Sequence, residues 1–369
     1  MSWGTYRRIV IKIGSALIAD ASGARLEWLK SLAADVRALR AEGIEVVLVS
    51  SGSVALARQQ FNRADASLRL EEKQAFAAIG QITLMQLWQQ AFAAEGEAIG
   101  VAQLLLTAED SEDRRRYLNA RATIQTLQDL KVLPIVNEND TVATAEIRFG
   151  DNDRLAARVA QMVEADLLIL LSDIDGFYTA DPRSNPDARH IAHVEKLNTE
   201  IEAMAGGARS ASSNGGMITK LQAARIATSS GCTMAITLGA PLHPIKALRD
   251  GARATWFSAS ETPANARKRW LSGMLHPAGA VLVDAGAVVA LRAGKSLLPA
   301  GAKAIVGAFE RGDLVEILDE EGARIAKGLI AYANDDAQKI LGRKSSEIAE
   351  IVGFQGRAAL VHADDIVLL

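Results

Sequence analysis

The sequence predicts an α/β protein in which helices sandwich a mostly parallel sheet, followed by a small C-terminal β-rich domain. Three observations lead to this fold class. Short apolar runs alternate with longer amphipathic stretches up to about residue 258, which is the pattern of successive βαβ units. Beyond that point the apolar runs are shorter and glycines separate them. The 369 residues, of which 49% are hydrophobic, are sufficient for two domains with separate cores.

The first domain is predicted to comprise residues 1–258. Its apolar runs lack the alternation of a half-exposed strand, so they are typical of strands that are buried on both faces. The predicted strands are Ile9–Ile13, Val46–Val49, Val101–Leu106, Val132–Val136, Leu167–Leu171 and Met234–Leu238. The predicted helices, whose apolar residues recur at helical spacing, are Leu26–Ala41, Glu71–Ala94 and Asp110–Leu130.

A change of composition separates the second predicted domain from the first. Residues 259–278 hold two prolines and a basic cluster but no long apolar run, so we interpret them as a linker. Residues 279–369 form the predicted β-rich domain. Its expected β segments are Val281–Asp284, Ala287–Leu291, Ala304–Val306, Leu314–Leu318, Arg324–Ala331 and Arg357–His362.

Composition narrows the classes of function. The net charge is −3, from 41 basic and 44 acidic residues, so the whole chain has no general attraction to nucleic acid or to an anionic membrane. The single cysteine, Cys232, excludes an internal disulfide and lies beside an apolar run, which favours a buried thiol in a reducing compartment. The N-terminus lacks the apolar core of a signal peptide, and the five histidines show no metal-ligand spacing. We therefore expect a cytoplasmic protein without a membrane anchor.

Polar residues follow several predicted strands, at the edge where open α/β sheets bind ligands. Lys12 interrupts the first strand just before a Gly-Ser pair, although a lysine at a strand end can also simply reach solvent. Ser51 and Gly52 lie in a strand-to-helix turn that presents backbone N–H groups to an anion, and N-capping by serine explains the same letters. The stretch NGG at 214–216 precedes a helix that carries Lys220, which fits either phosphate binding or a plain helix start.

Two clusters of carboxylates and amides are more informative than these turns. The first, NEND at 137–140, follows a predicted strand, and the second, DND at 151–153, begins a predicted helix. Capping of a helix requires only one such residue, so it does not account for three in a row that follow another polar cluster. Ser172 and Asp173 end a further apolar strand. Together with the two lysines, these groups suit phosphoryl transfer, although the common nucleotide motifs GxxxxGK[ST] and GxGxxG are absent.

These stretches resemble the amino-acid kinase family. The matching segments, which span most of residues 9–225, are IVIKIGSAL, VSSGSVALA, AAIGQITLMQLW, NENDTVATAEIRFGDND, FYTADPRSNP and NGGMITKLQAA. The segment 137–153 discriminates best and resembles the branch of the family that phosphorylates the γ-carboxylate of L-glutamate at the first step of proline biosynthesis. The C-terminal part, with SLLPAGAKAIVGAFERGDLVEI, is similar to a PUA domain.

The resemblance implies a role for each matched residue. Lys12 and Lys220 would contact the ATP phosphates and act in catalysis, with Asp153 between their ammonium groups. The residues expected to bind glutamate are Ser51, Gly52, Asn137, Asp140 and Asn152. The residues expected to bind ATP are Lys12, Ser172, Asp173, Asn214, Gly215, Gly216, Met217, Ile218, Thr219 and Lys220. Ser172 and Asn214 stand where the family pattern has threonine.

The implied reaction uses ATP and Mg²⁺ and forms γ-glutamyl phosphate. A carboxylate is already ionised at pH 7, so the reaction needs no general base, in keeping with the absence of a suitably placed histidine. The resemblance also leads us to expect proline as a feedback inhibitor and self-association into a homo-oligomer.

Two other functions stay open. A family member that acts on acetylglutamate, aspartate or carbamate would share many of these motifs, but the PUA-like domain and the NENDTVATAEI run favour glutamate. An RNA-binding or RNA-modifying protein would use the C-terminal domain instead. Residues 276–369 contain ten basic and thirteen acidic residues, a poor balance for neutralising phosphates, so we do not expect RNA binding.

Overall fold

The computed structural model describes residues 3–20, 22–63, 68–93, 98–142, 152–206, 216–274 and 276–369. The chain divides into two compact units. Unit 1 comprises Met1–Glu112 and Asn119–Pro263, and unit 2 comprises Asp113–Leu118 and Ala264–Leu369. The domain bounds given above stay a prediction, and helix Pro263–Gly273 lies within the segment that we interpret as a linker.

An eight-stranded sheet forms the centre of unit 1. Its strands are β1 (Arg8–Ile13), β2 (Glu45–Ser50), β3 (Val101–Leu106), β4 (Leu133–Glu138), β5 (Leu167–Ser172), β6 (His193–Val194), β7 (Thr233–Leu238) and β8 (Ala254–Phe257). Their order across the sheet is β6-β8-β7-β5-β1-β2-β4-β3. Neighbouring strands are parallel except for the antiparallel pair β7 and β8, which confirms the predicted mostly parallel sheet. Two short hairpins add Ala19–Asp20 with Gly23–Ala24 and Phe177–Tyr178 with His190–Ile191.

Helices cover both faces of this sheet. They are α1 (Ser15–Ile18), α2 (Leu26–Ala41), α3 (Ser53–Gln60), α4 (Leu70–Ala93), α5 (Ala108–Glu112), α6 (Arg114–Asp129), α7 (Asn152–Met162), α8 (Thr199–Gly206), α9 (Met217–Ser229) and α10 (Pro244–Arg249). On one face, β1 packs its odd-numbered isoleucines against Leu29 and Leu32 of α2 and Trp88 of α4. Because side chains alternate along a strand, Lys12 points to the other face, where α7 and α9 lie.

Unit 2 contains a five-stranded sheet. Its strands are β9 (Gly279–Val283), β10 (Ala302–Gly307), β11 (Leu314–Leu318), β12 (Arg324–Ile330) and β13 (Val361–Leu368), in the order β10-β9-β11-β12-β13. Its helices are α11 (Pro263–Gly273), α12 (Ala285–Arg292), α13 (Asn334–Ile340) and α14 (Ile348–Val352). The inward side chains of the central strands, among them Val281, Val315 and Ala326, form a separate hydrophobic core. The predicted β-rich domain is confirmed.

Two predicted segments of unit 2 require correction. Residues Ala287–Leu291, predicted as a β segment, belong to α12. The carboxylate of Asp284 accepts a hydrogen bond from the backbone N–H of Ala287 at 2.8 Å and so caps the helix. The buried residues of this segment, Ala287 and Leu291, are four positions apart, which is the spacing of one face of a helix. The last strand begins at Val361, later than the predicted Arg357.

The lone cysteine lies in the apolar interior, as the run of apolar residues beside it predicts. Cys232 is unpaired and fully buried, and burial raises the pKa of its thiol. Within the described ranges, none of the helices combines the length and apolar character needed to cross a membrane.

Candidate active site

The carboxyl ends of parallel strands bring the polar residues of unit 1 to one edge of the sheet. In β1 and β2 the last residues, Ile13 and Ser50, are in register. On the other side of β1, Ser172 of β5 lies opposite Leu238 of β7. The segments that follow these strands therefore meet at the same edge, with β1 in the middle.

Three charged side chains form an ion triad, Lys12, Asp153 and Lys220, beside the end of β1. The Nζ atom of Lys12 lies 2.7 Å from Asp153 Oδ1, and that of Lys220 lies 3.0 Å from Asp153 Oδ2. The side chains are 13%, 2% and 8% exposed in that order. Burial alone would raise the pKa of Asp153, but the two ammonium groups outweigh it and hold the pKa below its ordinary value. One net positive charge is left for an anionic ligand.

The neighbouring residue, Asn152, joins an amide cluster of Ser51, Asn137 and Asn152. Its Nδ2 group donates to Ser51 Oγ at 2.6 Å and to Asn137 Oδ1 at 3.0 Å. Within the described part of the chain, Asn137 Nδ2 and Asn152 Oδ1 are buried and have no hydrogen-bond partner. Buried polar atoms in proteins nearly always have a partner, and a ligand with both acceptor and donor groups would complement this free donor and free acceptor.

Two glycine turns flank these groups and differ in their surroundings. Gly52 precedes α3 with φ +111°, and a Cβ atom there would lie 2.9 Å from Cβ of Ile18. Gly216 precedes the 13-residue helix α9 in extended conformation, and among the described residues other than its chain neighbours no atom lies within 4 Å of the position its Cβ would take. The space beside Gly216, at a helix N-terminus, fits a phosphate group.

A cavity of about 560 Å³, a size typical of sites for small ligands, lies beside Ser51, both lysines of the ion triad and Gly216. It extends from Ser51 past Lys12 and Lys220 to Ser172, and Tyr178 forms part of its wall. The cavity therefore reaches the two lysines of the ion triad and Ser51 of the amide cluster, whereas Asn137 and Asn152 lie outside its lining.

Comparison with known proteins shows the family to which the chain belongs. The sequence profile of the Amino acid kinase family matches residues 7–237. The chain belongs to the amino acid kinase family. The profile of the PUA domain matches residues 279–352, which confirms the resemblance of the C-terminal part.

Among the relatives of this amino acid kinase, the glutamate 5-kinase of Sinorhizobium fredii is 56% identical over 364 residues, which are 98% of this chain and 92% of that protein. The glutamate 5-kinase of Paramagnetospirillum magneticum is 56% identical over 364 residues, 98% of each chain. The structure of carbamate kinase from Giardia lamblia bound to AMP-PNP has a TM-score of 0.50 and 20% sequence identity. It covers 70% of this chain and 100% of that chain, and at this identity it supports the fold alone.

The structure places most of the predicted site residues of this kinase together. Met217 lines the cavity with Gly216 and Lys220, whereas Ile218 and Thr219 lie on α9 outside its lining. Thr219 Oγ1 donates to the carbonyl oxygen of Gly216 at 2.8 Å. The predicted ATP residues 214 and 215, and the aspartate at 151, lie outside the described residues.

Asp140 occupies a position of its own after β4. It is half-buried and does not line the cavity. Burial raises the pKa of its carboxyl group from 3.8 to about 6. This carboxyl group therefore titrates close to neutral pH. A cationic partner would lower its pKa again.

Two arginines that line the cavity were not among the site residues predicted from the sequence. Arg25 and Arg183 both line it. The guanidinium of Arg183 lies 2.7 Å from Asp173 Oδ2. Burial raises the pKa of Asp173, but hydrogen bonds from Arg183 and Ser172 bring it below its ordinary value. The sequence does offer a signal for Arg183, since it is the basic residue directly after Asp-Pro in the FYTADPRSNP segment.

Proposed function

We propose that the protein transfers the γ-phosphoryl group of ATP to the γ-carboxylate of L-glutamate, at the first step of proline biosynthesis. The observation that carries this proposal is the junction of the ion triad and the amide cluster at two consecutive residues, Asn152 and Asp153. Relatives named glutamate 5-kinase, 55–56% identical over nearly the whole chain, support glutamate as the acceptor.

The ion triad would hold and stabilise the transferring phosphoryl group. Phosphoryl transfer depends on positive charge that is already in place around the phosphate oxygens. Asp153 fixes both ammonium groups, so little rearrangement is needed when the nucleotide binds. The open space at Gly216 lets phosphate oxygens approach the N-terminus of α9.

The acceptor carboxylate reacts without a general base. The γ-carboxylate of glutamate has a pKa of about 4.3 and is ionised at pH 7. One of its oxygens forms a bond to the γ-phosphorus while the bond from that phosphorus to the bridging oxygen breaks. The products are γ-glutamyl phosphate and ADP. The amide cluster would position the amino acid, and ionised Asp140 would pair with its α-ammonium group.

Mg²⁺ is proposed as the metal that accompanies ATP, and when bound it would neutralise charge on the phosphates. Among the described residues, no group of three or more His, Cys, Asp or Glu side chains could hold a metal. Mg²⁺ commonly uses one or two carboxylates together with phosphate oxygens. Two carboxylates are in the described lining of the cavity. Asp173 is already bound by Arg183 and Ser172, so Asp181 is the one that would hold the metal.

Several further properties rest on the family resemblance alone. We propose that proline acts as a feedback inhibitor, that the protein works as a homo-oligomer, and that it is cytoplasmic. The acidic balance of residues 276–369 supports the prediction that the C-terminal domain does not bind RNA.

ADP release measured with glutamate, N-acetylglutamate, aspartate and carbamate in parallel tests the proposed function. Hydroxylamine in the assay traps an acyl phosphate as a hydroxamate and identifies the product. We expect ADP and hydroxamate with glutamate at a rate far above the other three acceptors. Faster turnover with N-acetylglutamate, aspartate or carbamate would contradict the assignment of the acceptor.

A further inference from the structure

Gln81 of α4 has a buried amide whose role the proposed reaction leaves open. It belongs to the family-like segment AAIGQITLMQLW and is 7% exposed. Its Oε1 atom accepts a hydrogen bond from Gln103 Nε2 at 2.6 Å. Its own Nε2 group is buried and, within the described part of the chain, has no hydrogen-bond partner. A native fold rarely leaves such a donor unused, because desolvating it without a partner costs stability.

Helix α4 packs directly on the turn that carries Ser51. A Cβ atom at Gly80 would lie 1.8 Å from the carbonyl oxygen of Ser53, so the helix and this turn are in close contact. A second contact joins the helix to the end of β2: Trp88 Nε1 of α4 donates a hydrogen bond to Ser50 Oγ at 3.1 Å. Gln81 shares the buried face of α4 with Trp88, seven positions later. Gln81 therefore lies on the face that covers the turn from Ser50 to Ser53.

The pairing of β3 with β4 locates the Gln81 amide independently. Gln103, the partner of Gln81, lies opposite Ile135. Asn137 follows two residues later on the same face of β4, a separation of about 7 Å along a strand. Gln81 thus lies between the Ser51 turn and the Asn137 end of β4, on the side of the site that holds the amide cluster.

This side of the site contains free groups of both polarities. Gln81 Nε2 and Asn137 Nδ2 are buried donors without partners in the described residues, and Asn152 Oδ1 is a buried acceptor without one. The acceptor amino acid has an α-carboxylate, which only accepts hydrogen bonds, and an α-ammonium, which only donates them. Asp140 and Asn152 can serve the ammonium, so the carboxylate requires separate donors.

We propose that Gln81 is a substrate-binding residue whose Nε2 group donates a hydrogen bond to the α-carboxylate of the acceptor amino acid. This inference rests on the proposed function, since it assumes an α-amino acid as the acceptor. It makes Gln81 a determinant of specificity for acceptors that carry a carboxylate on the carbon bearing the amino group.

The experiment compares glutamate with 4-aminobutanoate, which lacks only the α-carboxylate, in the full-length enzyme. Gln81→Met keeps the length of the side chain and removes the amide, and Gln86→Met alters an exposed glutamine of the same helix as a control. We expect Gln81→Met to raise the KM for glutamate about 10–100-fold, the range for one hydrogen bond to a charged group. The KM for ATP and the inhibition constant of 4-aminobutanoate should change less than about twofold. Gln86→Met should leave all three unchanged.

The isosteric variant Gln81→Glu keeps the test decisive if Gln81→Met folds poorly. Its carboxylate would repel the α-carboxylate, so we expect a larger rise in the KM for glutamate than in Gln81→Met. An unchanged KM for glutamate in a folded variant overturns the inference. So does an equal weakening of glutamate and 4-aminobutanoate, which would show that Gln81 supports the fold of the site. Absence of turnover with glutamate in the unaltered enzyme would instead overturn the proposed function.

Discussion

Asn152 and Asp153 are consecutive residues, yet they belong to regions of opposite character. Asn152 joins the amide cluster, which is neutral and retains a free donor and a free acceptor among the described residues. Asp153 joins the ion triad, where both carboxylate oxygens contact ammonium groups. The difference fits the proposed division of the site: the free hydrogen-bonding groups would recognise the acceptor, and the charges that are already paired would hold the phosphoryl group.

The ion triad persists in spite of its burial because its charges are matched. An isolated buried carboxylate would take up a proton, but two adjacent ammonium groups lower the pKa of Asp153. Asp153 also lies in the first turn of α7, where the helix dipole favours negative charge. The lysines are therefore held in place before any nucleotide binds.

Removal of either lysine should give the largest effect. Lys12→Ala or Lys220→Ala removes charge that stabilises the transition state, a loss of about 3 kcal/mol or more. We expect kcat to fall at least about 100-fold in steady-state assays, with a smaller change in the KM for glutamate. Lys30→Ala, at an exposed position of α2, is the control. Near-normal turnover in both variants would refute the role of the triad.

Asp140 should govern the affinity for glutamate and its dependence on pH. Asp140→Asn removes the partner of the α-ammonium group, so kcat/KM for glutamate should fall about 30-fold or more, with little change in the KM for ATP. In the unaltered enzyme, kcat/KM should decline as the pH falls through the pKa of about 6, because the protonated carboxyl loses its charge. The variant should lack this decline.

A stability measurement on the same preparations distinguishes this role from a structural one. Since burial raises the pKa of Asp140 from 3.8 to about 6, stability falls as the pH rises between these two values and stays reduced above pH 6. Asp140→Asn should therefore keep or raise the melting temperature at pH 8. A lower melting temperature with unchanged glutamate kinetics would mean that Asp140 serves the backbone turn. Asp187→Asn, at an exposed site, is the control.

The two glycine turns should respond to alanine in opposite ways. Gly52→Ala forces a side chain into a left-handed backbone and against Ile18, so unfolding free energy should drop by about 1–2 kcal/mol or more. Gly216→Ala meets open space, so stability should change by less than about 0.5 kcal/mol. The added methyl group occupies space that we assign to phosphate, so the KM for ATP should rise. Denaturant unfolding measures the stability of the two variants, and steady-state kinetics measure their KM for ATP. Equal destabilisation of Gly52→Ala and Gly216→Ala would contradict the difference inferred between the two turns.

Much of the fold is visible in the sequence because buried parallel strands are continuous apolar runs. The predicted strand Val101–Leu106 and helix Leu26–Ala41 have the observed bounds. The prediction of Ala287–Leu291 as a β segment was wrong because five small and apolar residues fit either period, and the Asp284 cap decides for a helix. Short segments lack the repeats that separate a strand from a helix.

Residues of the candidate site can be selected from the sequence, whereas the contacts between them cannot. Strand ends single out Lys12 and Ser172, but Lys220 and Asp153 are 67 positions apart and only the fold brings their atoms to 3.0 Å. The place of Asp153 between two lysines came from family resemblance, not from spacing. The pairing of Arg183 with Asp173 was missed because it crosses a loop between the two, which no local pattern specifies.

The steady-state kinetics of Asn152→Ala and Asp153→Asn, measured for both substrates, test the division of the site most directly. The account predicts that Asn152→Ala raises the KM for glutamate about tenfold and leaves kcat within about threefold, as for the loss of one hydrogen bond. Asp153→Asn should lower kcat about 100-fold, because the two ammonium groups lose the carboxylate that positions them. If both variants changed the same constant by similar factors, the two residues would act as one unit and the division would be wrong.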